Sequence, residues 1–220
     1  MRVLQAFSTT VGTKILIALT GLCLVGFLIF HLFGNLLLFL GPESYNEHAH
    51  ALISNPLIVP AELGLVAIFL LHVYKAVVNY AANRRARPTG YAMKKNAGGA
   101  SRKTLGSTTM IWSGVVMFGF VLFHLNTFKY GPYYSTNTAG ERDLYRLLIE
   151  VFHKPGDVAF YVVCMLIIGL HLRHGVSSAF QSLGLVPEPW TRRVLKTGLV
   201  LALAIAGGFV LIPLWVYFRL

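Results

Sequence analysis

Thr20–Leu40, TGLCLVGFLIFHLFGNLLLFL, is an uncharged run of 21 residues with one histidine, His31. At ~1.5 Å of helical rise per residue it is long enough to cross the ~30 Å hydrocarbon core of a bilayer. An ionisable group in hydrocarbon is costly and is usually held by a specific partner. Two readings of His31 are therefore open. It is a packing residue whose ring nitrogens meet a carbonyl and a hydroxyl, or it is a ligand to a metal or cofactor.

The surrounding chain supports a membrane setting. Of its 220 residues 55% are hydrophobic and 12% charged, and the mean hydropathy is +0.64, values that belong to a polytopic membrane protein and not to a soluble domain. The formal charge of +11 comes from basic residues lying between apolar runs; they form no RNA-binding or DNA-binding motif, so no nucleic-acid partner is expected. Cys23 and Cys164 lie inside apolar spans and no CxxC or CxxCH occurs. This pattern supports neither a disulfide framework nor covalent haem attachment. The first run is too long, and lacks the small-residue cleavage site, to be a removed signal peptide.

Charge-free runs at 15–42, 104–128 and 197–218 are each long enough to span the bilayer. Two further runs carry a late charge, Lys75 or Arg173, near one end, where long side chains snorkel to the headgroups. The expected fold is all-α, a single membrane-embedded bundle of five transmembrane helices at about 11–40, 58–82, 104–129, 157–182 and 193–218. Orientation follows from lysine and arginine. The segments up to Lys14, 83–106 and 184–196 hold twelve, against five for 41–57, 129–157 and the C-terminal end, which puts the N-terminus in the cytoplasm and the C-terminus on the outer side. The loop Arg84–Lys103 is strongly basic; it suits anionic lipid, a cytoplasmic partner or simple retention inside. In 140–153, Leu144, Leu147, Leu148, Val151 and Phe152 recur at helical spacing, predicting an interfacial amphipathic helix that roofs the outer side.

An internal repeat bears on His31. T20-G21-x4-G26-F27-x2-F30-H31-L32 is matched by S113-G114-x4-G119-F120-x2-F123-H124-L125 over thirteen positions. L71-H72-V73-x-K75-x-V77 is matched more loosely by L170-H171-L172-x-H174-x-V176. The chain thus reads as a duplicated helix pair with a fifth helix added. His31 and His124 come late on helices that run outward, and His72 and His171 fall near the middle of helices that run inward. Two histidines therefore sit at an outer depth and two nearer the cytoplasm, the arrangement that two axial pairs on two haems require. Zinc would gather its ligands at one depth and usually include cysteine or carboxylate.

Gly21 and Gly114 stand ~15 Å to the cytoplasmic side of His31 and His124, where they either make room for the inner porphyrin or serve close helix packing. Thr20 and Ser113 are expected to offer hydroxyls to its propionates. The repeat pairs His171 with His72 and His174 with Lys75, so His171 is expected as ligand and His174 at a propionate or headgroup. His48, His50 and His153 fall in outer loops.

With TG-x4-GF-x2-FHLFGNLL on the first span, LLHVYKAV on the second, GFVLFHLNTF on the third and GLHLRHGVSSAFQSLG on the fourth, the chain resembles the dihaem cytochrome b subunit of succinate dehydrogenases and fumarate reductases. The resemblance covers nearly the whole chain. It implies two haem b groups, the proximal one on His72 and His171 and the distal one on His31 and His124. It also implies exchange of electrons with a quinone, usually menaquinone, and a flavoprotein and an iron-sulfur subunit on the cytoplasmic face that carry the dicarboxylate chemistry. The setting implied is a bacterial inner membrane, with a dimer of the whole complex compatible.

The chain departs from that pattern at Gly169. Members of the family that couple quinol oxidation to compensating proton transfer carry an acid two residues before the fourth-helix ligand, so such a path is in doubt here. Quinone chemistry needs a proton donor or acceptor; of the outer acids Glu43, Glu47 and Glu62, Glu62 is the expected one, the competing role being a carboxylate at a helix N-terminus. Two other functional readings stand beside this one: the cytochrome b of a hydrogenase or formate dehydrogenase, and a haem-free anchor or transporter whose histidines pack or relay protons.

Overall fold

The computed structural model describes residues 9–86, 105–136 and 141–220. Apart from one antiparallel bridge between Ser135 and Arg142, regular structure among the described residues is helical. Helix α1, Thr10–Leu36, is capped by Thr9, whose side chain accepts from the Gly12 amide. It tightens into a 3-10 turn over Leu37–Leu40 and stops at Gly41, whose φ of 102° suits a residue without Cβ. The helices that follow are α2 (Pro42–Ile53), α3 (Ile58–Ala86), α4 (Leu105–His124) with a π turn over Leu125–Lys129, α5 (Leu144–Phe152), α6 (Pro155–Ser182) and α7 (Thr191–Arg219). Gly184, at φ 71°, ends α6 in a Schellman cap with Leu185 N–H donating to the Phe180 carbonyl at 3.1 Å.

Five helical segments are long and apolar enough to cross a membrane: Thr10–Leu40, Ile58–Ala86, Gly106–Lys129, Pro155–Ser182 and Thr191–Arg219. The chain is an all-α, multi-pass membrane protein with spans where the uncharged runs place them. The second span continues past its expected end through Asn83, Arg84 and Arg85 to Ala86, because cations are favoured at a helix C-terminus. Most of the basic loop Arg84–Lys103 lies outside the described residues.

Helix α6 is the hub, packed on α7, α1 and α4, while α3 packs on α1 and touches α4. Four helices thus form a ring in the order α1, α3, α4, α6, with α7 outside it against α6 and α1. The seam between α6 and α7 is built from small residues. Gly198, Ala202 and Ala206 recur every fourth residue on α7, where the backbone of α6 approaches closely. A Cβ on Gly198 would lie 2.6 Å from Ser177 Oγ and 3.4 Å from the Arg173 carbonyl oxygen, and one on Gly169 would lie 3.0 Å from Ala206 Cβ. Helix α3 is the opposite case, with no buried residue and Leu63 66% exposed. Such an apolar surface suits lipid contact.

Helices α2 and α5 cover one end of the bundle. The 41–57 stretch, expected as loop, contains α2, whose polar Glu43, Asn46, Glu47 and His50 mask its periodicity. Tertiary bonds hold it: buried Asn46 donates to Asp143 Oδ1 at 2.9 Å and accepts from the Tyr145 amide at 3.0 Å. Asp143 in turn caps α5 by accepting from the Arg146 amide. The predicted amphipathic helix exists as α5, but Leu147, Leu148, Val151 and Phe152 are buried within the protein and not in lipid. On its polar side Glu150 accepts from Tyr134 Oη at 2.6 Å and Arg146 Nε at 2.9 Å; Tyr134 first, then Arg146, hold its carboxyl below the usual carboxylate range.

A side chain at Gly198 must force α6 and α7 apart, whereas a Cβ on Gly207 would have nothing within 4 Å. Overpacking of this kind costs about 1–3 kcal/mol. Gly198→Leu is expected to lower the thermal midpoint of the detergent-purified protein clearly and Gly207→Leu to leave it nearly unchanged; equal shifts would contradict the tight seam.

Candidate functional site

The ring order sets α1 opposite α4 and α3 opposite α6, so each histidine pair of the repeat comes from diagonal helices. His72 on α3 and His171 on α6 line one cavity of about 640 Å³ bounded by α1, α3, α4 and α6. That volume lies within the ~300–1,000 Å³ of small-molecule and cofactor pockets. Its walls are largely apolar, with polar residues towards the end that carries Lys14: Asn79, Asn83, Ser107, His174 and Ser182.

Each inner histidine is held by a hydroxyl of the preceding membrane span, Thr20 of α1 for His72 and Ser113 of α4 for His171. Thr20 Oγ1 lies 3.0 Å from His72 Nδ1 and Ser113 Oγ lies 2.9 Å from His171 Nδ1. Gly21 admits the His72 ring, while at Gly114 a Cβ would be in ordinary contact with the His171 ring. A Cβ on Gly21 would come to 3.1 Å from His72 Cε1, and one on Gly114 to 3.9 Å from His171 Cε1. The space expected for a porphyrin beside Gly21 and Gly114 is therefore shared with the imidazoles, and both glycines also line the cavity. Thr20 and Ser113, expected at propionates, meet these imidazoles in the structure.

The outer histidines meet each other directly. The His31 and His124 rings stand 5.7 Å apart, centroid to centroid, at 88°. The repeat persists at ring level: Phe27 stacks on His31 at 5.3 Å and Phe120 on His124 at 5.7 Å, each one helical turn earlier. Phe209 of α7 flanks His31, Phe128 flanks His124, and Tyr161 Oη is 3.3 Å from His124 Nδ1. Phe152 of α5 packs on Tyr161 at 5.0 Å, so the covering helix does roof this pair. Since Thr20 and Ser113 each precede the outer histidine of their own helix by eleven residues, the two pairs are ~16 Å apart along the bundle.

Among the described residues no three His, Cys, Asp or Glu side chains are grouped so as to hold a metal ion. A structural zinc site normally takes four ligands and a catalytic one three. Glu62 forms an ion pair with Lys129 at the outer end of α3 and the π turn. Gly169 is consumed in the α6–α7 seam, where a longer side chain has no space. His48, on α2 and not in a loop, packs its ring over Gly34, where a Cβ would lie 2.9 Å from Nε2. His50 also lies on α2, and His153 is the C-cap residue of α5.

Sequence reasoning passes over Tyr161, Lys14, Asn79 and Asn83. For Tyr161 a signal exists: the 99-residue offset between His72 and His171 also aligns Tyr161 with Glu62, so the repeat marks one outer polar position in two chemistries. Lys14 reads as a topology charge until the cavity places it. Comparison with known protein families, characterised proteins and solved structures gives no match. The functional reading rests on the residues themselves.

The Glu62 and Lys129 side chains remain 42% and 37% exposed, and exposed pairs contribute about 0–1 kcal/mol. Glu62→Gln is expected to leave the thermal midpoint nearly unchanged. A fall comparable to that of a buried-core variant would show the ion pair to be a structural anchor.

Proposed function

We propose that this chain is a membrane-anchoring dihaem cytochrome b that passes electrons between a soluble dehydrogenase partner and a membrane quinone. The observation that carries the reading is the set of two diagonal histidine pairs at two depths, one lining a cofactor-sized cavity with both Nδ1 atoms already bonded. Helix bundles build such sites from facing helices, and haem iron takes imidazole as an axial ligand. His72 and His171 would hold the inner haem b and His31 and His124 the outer one. Bound there, the two groups supply one-electron carriers; the protein supplies ligation, spacing and electrostatics.

The residues present fit such a group at the inner site. Each ring leaves Nε2 for a metal, the walls are apolar, and Lys14, His174, Asn79 and Asn83 form a polar end suited to carboxylates. At the outer site, aromatic rings around His31 and His124 exclude water, and α5 closes the end. The resemblance to succinate dehydrogenase and fumarate reductase subunits extends the proposal to a flavoprotein and an iron-sulfur subunit on a cytoplasmic face, menaquinone as substrate and a bacterial inner membrane as setting. For the proton that quinone chemistry requires, the proposed carboxylate in this chain is Glu62.

A reduced-minus-oxidised optical spectrum of the purified protein tests the reading. A b-type band is expected, with one haem lost in His31→Ala and the other in His72→Ala. No band in the wild type would overturn it. Co-purifying subunits identify the dehydrogenase; a hydrogenase or formate dehydrogenase in place of the expected partners would change the complex and leave the cytochrome intact.

A further inference from the structure

The two hydroxyls that meet the inner histidines have their protons committed elsewhere. Thr20 Oγ1 donates to the Leu16 carbonyl at 2.6 Å, with the Ile17 carbonyl at 3.2 Å. Ser113 Oγ donates to the Met110 carbonyl at 3.0 Å. A hydroxyl carries one proton and two lone pairs, and back-bonding to the preceding turn is the usual use of that proton in a helix. What faces each imidazole is then a lone pair. A neutral imidazole has one N–H, so His72 and His171 carry it on Nδ1 and donate it to Thr20 and Ser113, with the Ile17 carbonyl a further acceptor at the His72 ring. Nε2 is left bare on both.

Two features set this apart from incidental packing. Thr20 and Ser113 are 7% and 8% exposed, so water is poorly placed to take over the acceptor role. The arrangement also occurs twice, once in each half of the repeat, with the hydroxyl on the membrane span preceding that of the histidine and a glycine directly following the hydroxyl residue. One hydroxyl is threonine and the other serine, so the shared group is the oxygen and not the methyl.

We propose that Thr20 and Ser113 are positioning residues that lock the Nδ1–H tautomer and ring orientation of His72 and His171 and thereby set the potential of the inner haem. This inference rests on the cytochrome reading above. An acceptor on the far nitrogen raises the basicity of a ligating imidazole, and losing such a partner typically changes metal affinity about 10–100-fold. A more basic ligand favours ferric iron, so the two hydroxyls hold the inner potential down. The outer pair is governed by other contacts, the Phe27 and Phe209 rings at His31 and the Tyr161 hydroxyl at His124.

The test is a redox titration of both haems in membranes carrying the full chain, with Thr20→Val and Ser113→Ala set beside Thr20→Ser and Ser113→Thr. The first two remove the hydroxyl with little change of volume, and the second two keep it. A tenfold loss of ferric preference equals about 59 mV for a one-electron couple. Each hydroxyl-less variant is expected to raise the inner midpoint by roughly that amount, or to lose the inner haem selectively, while the hydroxyl-bearing exchange restores the wild-type value and the outer haem does not move. Unmoved inner potentials, equal shifts in both haems, or equal haem loss in Thr20→Val and Thr20→Ser would overturn the proposal with the cytochrome reading intact. Absence of any b-type band in the wild type would instead remove the reading on which it rests.

Discussion

An imidazole inside a bilayer-spanning bundle has no bulk water to bond, so its ring nitrogens must be satisfied by the protein or by a bound group. Much of the structure follows from meeting that demand for the inner pair. Thr20 and Ser113 take one nitrogen each of His72 and His171, Gly21 lets the His72 ring come close enough to be taken, and the ring of four helices leaves a cavity lined by both imidazoles. Half of the hydrogen-bonding capacity is thus provided for within the chain. On the proposed cytochrome reading, the remaining half is what a bound haem would take up.

The packing is divided between tight and loose seams in a way that suits this purpose. Small residues at every fourth position draw α7 onto α6 and make a closely packed edge on the helix that carries His171 and Tyr161. Helix α3, which carries His72, has no buried residue and is tied to the rest chiefly through α1. Its bond from His72 to Thr20 is a polar contact that helps fix its rotation. At the covered end, Asn46 and Asp143 clamp α2 to α5, and Phe152 carries that closure down to Tyr161 and His124. Cover and outer pair are thus joined through packed rings.

The spans and both histidine pairs are legible in the sequence because uncharged runs and an internal repeat are one-dimensional signals. What escapes depends on contacts between distant residues. Helix α2 is polar along much of its length, and its stability comes from Asn46 meeting a residue 97 positions away. The apolar stripe of α5 is plain in sequence, but periodicity does not distinguish lipid from protein as the surface it buries against. Thr20 and Ser113 stand out at matching positions of the repeat, yet whether they face a propionate or an imidazole is decided by an approach of about 3 Å between neighbouring helices. Gly169 is similar: sequence shows an acid missing, and only the structure shows Ala206 in the way.

The most direct measurement of the central claim is the number of acid-extractable haems and of iron atoms per polypeptide in the purified, undissociated protein. Extractability is itself expected, since the chain has no CxxCH. Two haems and two irons, held non-covalently, are predicted. A preparation with native helix content and normal yield that contains no haem, or that carries its metal as zinc, would contradict it.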